Sequence, residues 1–199
     1  MRNFKLCTIV GARPQFIKAA VISRVLNDFK DITEILIHTG QHFDENMSDV
    51  FFKELDIKNP DFNLKVGGGT HAQNTGRMLE SVERVLLQEK PDCVLVYGDT
   101  DSTLAGALAA VKLHIPIAHV EAGLRTGNLY SPFPEEYNRR SVAITTRYHF
   151  APTKNAQVNL EREGVPSEHI TVTGNTVIDA LLFTIRSLER SPDEAAQMR

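Results

Sequence analysis

The sequence predicts an α/β domain built on a doubly wound parallel sheet. Three observations predict it. Short β-rich runs alternate with amphipathic segments along all 199 residues. Most of those runs are near-continuously apolar, which means burial on both faces, as in a parallel sheet covered by helices. The intervening segments carry apolar residues at helical spacing, and strand–helix alternation at this pitch is the mark of α/β folds. No repeat and no low-complexity linker interrupts the pattern.

Strands are expected at 5–10, 34–38, 62–66, 92–97, 115–120, 148–151 and 170–173. The first helix, 14–29, turns Ile17, Val21 and Val25 to one face, and Pro14 suits a first helical position. Asp44 can cap a second helix bearing Met47, Val50, Phe51 and Leu55. Thr70 opens a longer one with Met78, Val82, Val85 and Leu86 on its buried stripe. An alanine-rich helix follows at 101–114, a more polar one at 134–146, and another at 154–163 that stops at Gly164. The last, 177–189, comes after Gly174.

Composition narrows the function classes. Hydrophobic residues make up 42% and charged residues 24%, which suits one compact domain with the start of a second. The formal charge of -3 is interspersed, so no basic stripe for nucleic acid exists. No apolar run approaches the roughly 20 residues that span a bilayer. The run from Leu6 to Val10 is too short for a signal peptide. Cys7 and Cys93 sit inside apolar strands and read as buried free thiols, consistent with a reducing cytoplasm.

Open parallel sheets bind ligands beyond the carboxyl ends of their strands, so those ends are read in turn. After the first strand come Gly11, Ala12, Arg13, Pro14, Gln15 and Lys18. A glycine turn, a helix N-terminus and two cations make an anion site there; an ordinary βα turn with solvated charges is equally compatible. His38 and His42 straddle the second strand end rather than sharing a helical face, which disfavours metal ligation and suggests polar cleft lining with Gln41. Gly67-Gly68-Gly69-Thr70-His71-Ala72 imitates a dinucleotide fingerprint weakly, but it follows the wrong strand and reads better as a flexible turn. Thr100 to Thr103 cap the next helix, which leaves Asp99 facing the cleft. Glu121 directly follows a buried run and must be paired, hydrogen-bonded or functional. Pairing with Arg125 or Arg139 is the plain alternative. Glu135 and Glu136 fall on a first helical turn, where acids are favoured in any case.

Taken in order, Gly11 to Lys18, Thr39-Gly40-Gln41-His42, Gly98-Asp99-Thr100, His119 to Arg125, Pro134-Glu135-Glu136 with Asn138-Arg139, and Gly174-Asn175-Thr176 with Asp179 resemble the non-hydrolysing UDP-N-acetylglucosamine 2-epimerases over essentially the whole chain. The resemblance implies a glycosyltransferase-B-like, Rossmann-like N-terminal domain at 1–174, with 175–199 as the crossover and first helix of a second domain that supplies most UDP contacts. It also implies C2 epimerisation of a UDP-amino sugar by expulsion and return of UDP, with no nicotinamide or metal cofactor, by a homodimer when full-length. The family's catalytic acids fall on Asp99, Glu121 and Glu135, and its substrate contacts on Arg13, Lys18, Gln41, His42 and Arg139. Gln15 stands where many members carry Glu, and Gly69 near where regulated members carry Arg. Both features resemble the branch acting on UDP-2,3-diacetamido-2,3-dideoxy-glucuronate. Two other readings stay open: a non-catalytic sugar-nucleotide-binding module, and half of a glycosyltransferase, which shares the fold but does not need this acidic set.

Overall fold

In the computed structural model, which describes residues 3–41, 52 and 55–190, seven strands form one sheet in the order β3-β2-β1-β4-β5-β6-β7, all parallel. They are β1 (Phe4–Val10), β2 (Ile32–His38), β3 (Phe62–Asn63), β4 (Cys93–Tyr97), β5 (Ile117–Val120), β6 (Tyr148–Ala151) and β7 (Ile170–Val172). Between them run α1 (Arg13–Leu26), α2 (His71–Glu89), α3 (Asp101–Lys112), α4 (Glu135–Thr145) and α5 (Lys154–Arg162), and α6 (Thr176–Arg190) follows β7. The helix expected after Asp44 falls largely outside the described residues.

Side chains alternate across each strand, so every central strand feeds two cores. On one face Cys7, Ile9, Ile35, Ile37, Val94 and Val96 pack with residues of α2, α3 and α4. On the other, Leu6, Val10, Leu36, Leu95 and Tyr97 pack with Phe16, Ala19 and Ala20 of α1. Both faces are therefore covered, as the unbroken apolar runs predict. Cys7 and Cys93 are free and buried, and burial pushes both thiols upward, Cys93 to about 11.

β2 begins two residues earlier than expected, at Ile32, and β1, β4 and β7 differ by one residue at an end; β3 and β5 differ for local reasons. β3 is two residues long rather than five, because Lys65 takes a left-handed conformation (φ 53°) that breaks the ladder. Leu64 and Val66 still donate to His38 and Thr39 at the end of β2. β5 begins at Ile117 instead of 115, after Pro116, which has no amide hydrogen to give.

The sheet winds outward in both directions from β1 and β4, and this reversal opens a crevice at their carboxyl ends. The approach is close there. A side-chain carbon on Gly11 would collide with the Cβ of Ser102 at 2.8 Å, so only glycine lets α3 meet the end of β1. The last helix, α6, lies along α1, with the Arg24 guanidinium 3.8 Å from the centre of the Phe183 ring. Other apolar side chains on α6, among them Ile178, Leu181 and Ile185, are exposed, while Ala180 is buried.

Two histidines face each other across β5 and β6, His119 opposite His149, each about 1% exposed. Burial holds both near pKa 4, well below the ordinary imidazole value, against the hydrogen bonds that Gly98 and Thr146 supply. They are neutral when folded and take up protons near pH 6.5 when unfolded. The unfolded state thus binds more protons between about pH 6.5 and 4, and stability falls as pH is lowered through that window. Urea midpoints measured at pH 7.5, 6.5, 5.5 and 5 are expected to decline steadily. A midpoint that stayed level would mean that the pair is protonated in the fold.

Candidate active site

A cleft of about 360 Å³ sits at the crevice, lined by Ala12, Pro14, Gln15 and Lys18 of the first turn, Gln41 after β2, Tyr97 to Asp101 after β4, His71, and Pro134 with Glu135. That volume suits a small ligand. Three strand ends and the starts of four helices converge on it.

The floor is rigid. Gln15, 2% exposed, accepts hydrogen bonds from the amides of Gly11 (2.8 Å) and Ala12 (3.1 Å) through Oε1 and donates through Nε2 to the Tyr97 carbonyl (2.8 Å) and Thr103 Oγ1 (3.0 Å). One amide side chain thereby ties the turn after β1 to the turn after β4. An ionised carboxylate could not do both, because it has no hydrogen to offer Tyr97. Gln41 Oε1 accepts from the amide (3.0 Å) and hydroxyl (2.6 Å) of Ser102, which holds the loop after β2 against α3.

The acids are brought together in different states. Asp99 is paired with Arg139 at 2.5 Å, and Arg139 also reaches Glu136 at 3.4 Å. Glu121 pairs with Lys18, each side chain about one-sixth exposed or less. That pair stands beside the cleft: both charged atoms lie 3.5 Å from the point where a side chain on Gly98 would begin. Glu121 also takes a left-handed backbone (φ 69°), an uncommon conformation for a residue with a side chain and one that gathers at functional sites. Glu135, the first residue of α4, lines the cleft, and its Oε2 is buried with no partner among the described residues.

The plain alternative for Glu121, pairing with Arg125 or Arg139, does not occur. Arg125 bonds Glu163 at 2.6 Å instead, and Arg139 belongs to Asp99 and Glu136. Arg13 is exposed at the start of α1, outside the lining, while Lys18 one turn later points inward. His42 lies outside the described residues. The Gly67 to Gly69 segment is a turn whose carbonyls at Gly67 and Gly68 are held by Arg77. Among the described residues no group of three metal-ligating side chains assembles, and no helix is long and apolar enough to cross a membrane.

Sequence reasoning overlooked three lining or supporting groups. Asn138 donates to the Asp99 carbonyl at 2.8 Å and to Asp101 at 3.2 Å, so it positions the whole turn after β4. Asp101 and His71 meet at the cleft wall. Asn138 and His71 lie inside segments singled out above, but nothing in their spacing announces these contacts.

A family profile described as UDP-N-acetylglucosamine 2-epimerase matches residues 24–199. The chain belongs to the UDP-N-acetylglucosamine 2-epimerase family. Within this family it is 53% identical over 181 residues to the UDP-2,3-diacetamido-2,3-dideoxy-D-glucuronate 2-epimerase of Pseudomonas aeruginosa, covering 90% of this chain and 51% of that protein. It is 48% identical over 192 residues to the UDP-N-acetylglucosamine 2-epimerase of Methanocaldococcus jannaschii, covering 96% and 52%. The fold superposes on the UDP-GlcNAc 2-epimerase of Neisseria meningitidis bound to UDP-GlcNAc with a TM-score of 0.91 at 41% identity, covering 97% of this chain and 52% of the other. MurG of Acinetobacter baumannii shares the fold alone, at a TM-score of 0.60 and 15% identity. The chain spans about half the length of the curated relatives it matches.

Proposed function

We propose that the protein epimerises C2 of a UDP-2-acetamido sugar without hydrolysis, interconverting UDP-GlcNAc and UDP-ManNAc in the simplest case. The C2 hydrogen of such a sugar adjoins no carbonyl and resists direct removal. Breaking the C1–O bond first sends the electron pair out with UDP and leaves positive charge on C1 and the ring oxygen. A carboxylate then takes the C2 proton, and the C–H electrons form a C1=C2 double bond, giving a 2-acetamidoglucal. Protonation of C2 on the opposite face and attack of the UDP oxygen on C1 restore the glycosidic bond with C2 inverted.

The observation that carries this reading is the gathering of Asp99 and Glu135 on one cleft at the sheet's switch point, with the Glu121–Lys18 pair beside them. Carboxylates serve twice in this chemistry, as proton carriers and as fixed negative charge beside an oxocarbenium-like centre. Asp99 and Glu121, each held by a cation, suit the second role, whereas the unpartnered oxygen of Glu135 suits proton transfer. Lys18, with Arg13 at the start of the same helix, is the proposed partner of the departing pyrophosphate. Gln41, His42 and Arg139 complete the proposed sugar-nucleotide contacts.

A second reading keeps the chemistry and changes the sugar to UDP-2,3-diacetamido-2,3-dideoxy-glucuronate. Gln15 and the Pseudomonas relative favour it. In both, residues 1–174 form one domain and 175–199 lead into another that contributes most of the UDP site, so this chain alone binds UDP weakly and turns over little. The exposed apolar face of α6 supports that division. The full-length protein is expected to be a cytoplasmic homodimer.

In heavy water, the full-length protein is expected to place deuterium at C2 of the product during epimerisation. Product that kept its original C2 hydrogen would rule out the deprotonation route. Binding of UDP-sugar with neither exchange nor epimerisation would favour a non-catalytic module.

A further inference from the structure

One pair on the cleft wall takes no part in the mechanism above. His71 opens α2 and Asp101 opens α3, and the two meet with His71 Nδ1 3.0 Å from Asp101 Oδ2. The other oxygen of Asp101 accepts from Asn138 Nδ2 at 3.2 Å. Asp101 is 4% exposed, whereas the imidazole is open to solvent, with the Phe133 ring 6.3 Å away in an edge-on arrangement. Both His71 and Asp101 line the same cleft as Asp99 and Glu135.

A carboxylate only accepts, so the His71 Nδ1 must carry the hydrogen that joins them. Asp101 therefore fixes both the tautomer and the direction of the ring. No described residue bonds Nε2, which is a lone pair on the neutral ring and a second donor on the imidazolium. The remaining cation on the cleft lining, Lys18, is engaged with Glu121, and Arg139 nearby is engaged with Asp99 and Glu136. Among the described lining residues, His71 is thus the group able to present an uncommitted charged donor.

Removing Asp101 from water is costly, and an imidazole that merely accepted a bond from a sugar hydroxyl would do little to offset that cost. An imidazolium between two carboxylates, one from the protein and one from the ligand, offsets it on both sides. Asp99 and Glu135 on the same walls would repel an acidic sugar that met no cation. We propose that His71, seated on Asp101, contacts the sugar and donates through Nε2 to a carboxylate on it. The preferred substrate is then a UDP-2-acetamido uronate rather than its neutral hydroxymethyl counterpart. This inference rests on the epimerase reading and specifies the sugar it acts on.

The test compares two probes that differ only at C6, UDP-2-acetamido-2-deoxyglucuronate and UDP-GlcNAc, in the full-length protein and its His71→Gln variant. Gln is polar and of similar reach but cannot be charged. The wild type is expected to prefer the uronate at least tenfold in kcat/KM. In His71→Gln that ratio is expected to fall about tenfold, mainly through a higher KM for the uronate. A His71→Lys variant, which restores a cation without the imidazole, is expected to recover part of the preference. Equal use of both sugars by the wild type, or a preference that survives in His71→Gln, overturns the role of His71 and leaves the epimerase reading intact. Failure of the wild type to exchange the C2 hydrogen of either sugar overturns the epimerase reading, and this inference with it.

Discussion

Replacing Asp99, Glu121 or Glu135 by its amide in the full-length protein is expected to lower kcat by about two to four orders of magnitude, the range that a positioned proton-transfer or charge-stabilising group supplies. The three variants are not equivalent in their side effects. Asp99→Asn takes the charge away from Arg139, and Glu121→Gln takes it from Lys18, so each leaves a cation short of its partner. Glu135→Gln disturbs nothing of the kind, because its buried Oε2 bonds no described residue. It is the cleanest of the three. Its thermal midpoint is expected to stay within about 1–2 °C of the wild type, as for a substitution that breaks no native contact, while C2 exchange and epimerisation fall together. Near-normal rates in all three amides would remove the acids from the mechanism. A Glu135→Gln variant that still exchanged C2 hydrogen at the wild-type rate would transfer the proton-carrying role to another group.

What the sequence disclosed and what it hid follow from the range of the interactions. Buried runs and helix starts are local, so the strands, the Thr70 and Thr100 caps and the sheet class could be read directly. The strand-end rule then placed Asp99 and Glu121 beside one crevice, because any residue directly after a buried parallel strand emerges at the same edge. Partnerships were hidden wherever they cross between strand ends. Lys18 and Glu121 are 103 positions apart and His71 and Asp101 30 apart; each pair meets only because β1, β4 and β5 are neighbours and α2 packs on α3. Nearness along the chain suggested Arg125 or Arg139 for Glu121, but Arg125 is drawn to Glu163 on the other side of its loop. β3 was read three residues too long for a similar reason. Its apolar pattern continues to Val66, but the turn at Lys65 that ends the ladder is set by Asn63, whose side chain accepts from the Lys65 amide.

The largest loss of stability is expected at Glu136, which sits next to a proposed catalytic acid and does different work. Its side chain is wholly buried and accepts from the Thr126 amide (3.1 Å), Arg140 Nε (3.0 Å) and Arg139 Nη1 (3.4 Å). Burial by itself would raise its pKa, but the Thr126 amide and the two guanidinium groups outweigh burial and hold it below the ordinary value. Glu136→Ala leaves the Thr126 amide without its acceptor and takes one partner from Arg139, which keeps Asp99, and from Arg140, which is 43% exposed, so a cost of about 3 kcal/mol is expected. For a domain of this size that corresponds to a midpoint lower by about 10 °C. Glu136→Gln keeps an acceptor for Thr126 and is expected to lose less, about 1–3 kcal/mol. The two variants separate charge from hydrogen bonding, and urea unfolding at pH 7 measures both. Because the folded pKa is depressed, the contribution of Glu136 is fully present above about pH 4.5 and vanishes as pH falls through the folded value. The gap between wild type and Glu136→Gln should therefore close in acid. Arg139 gives the loss a functional consequence, since it bridges Glu136 and Asp99. Once released from Glu136 it can reorient on Asp99 or leave it, and either shift alters the charge at the proposed sugar site. Glu136→Gln is thus expected to lower kcat as well as stability. A variant that unfolded early yet turned over normally would show that Asp99 does not depend on Arg139 for its placement.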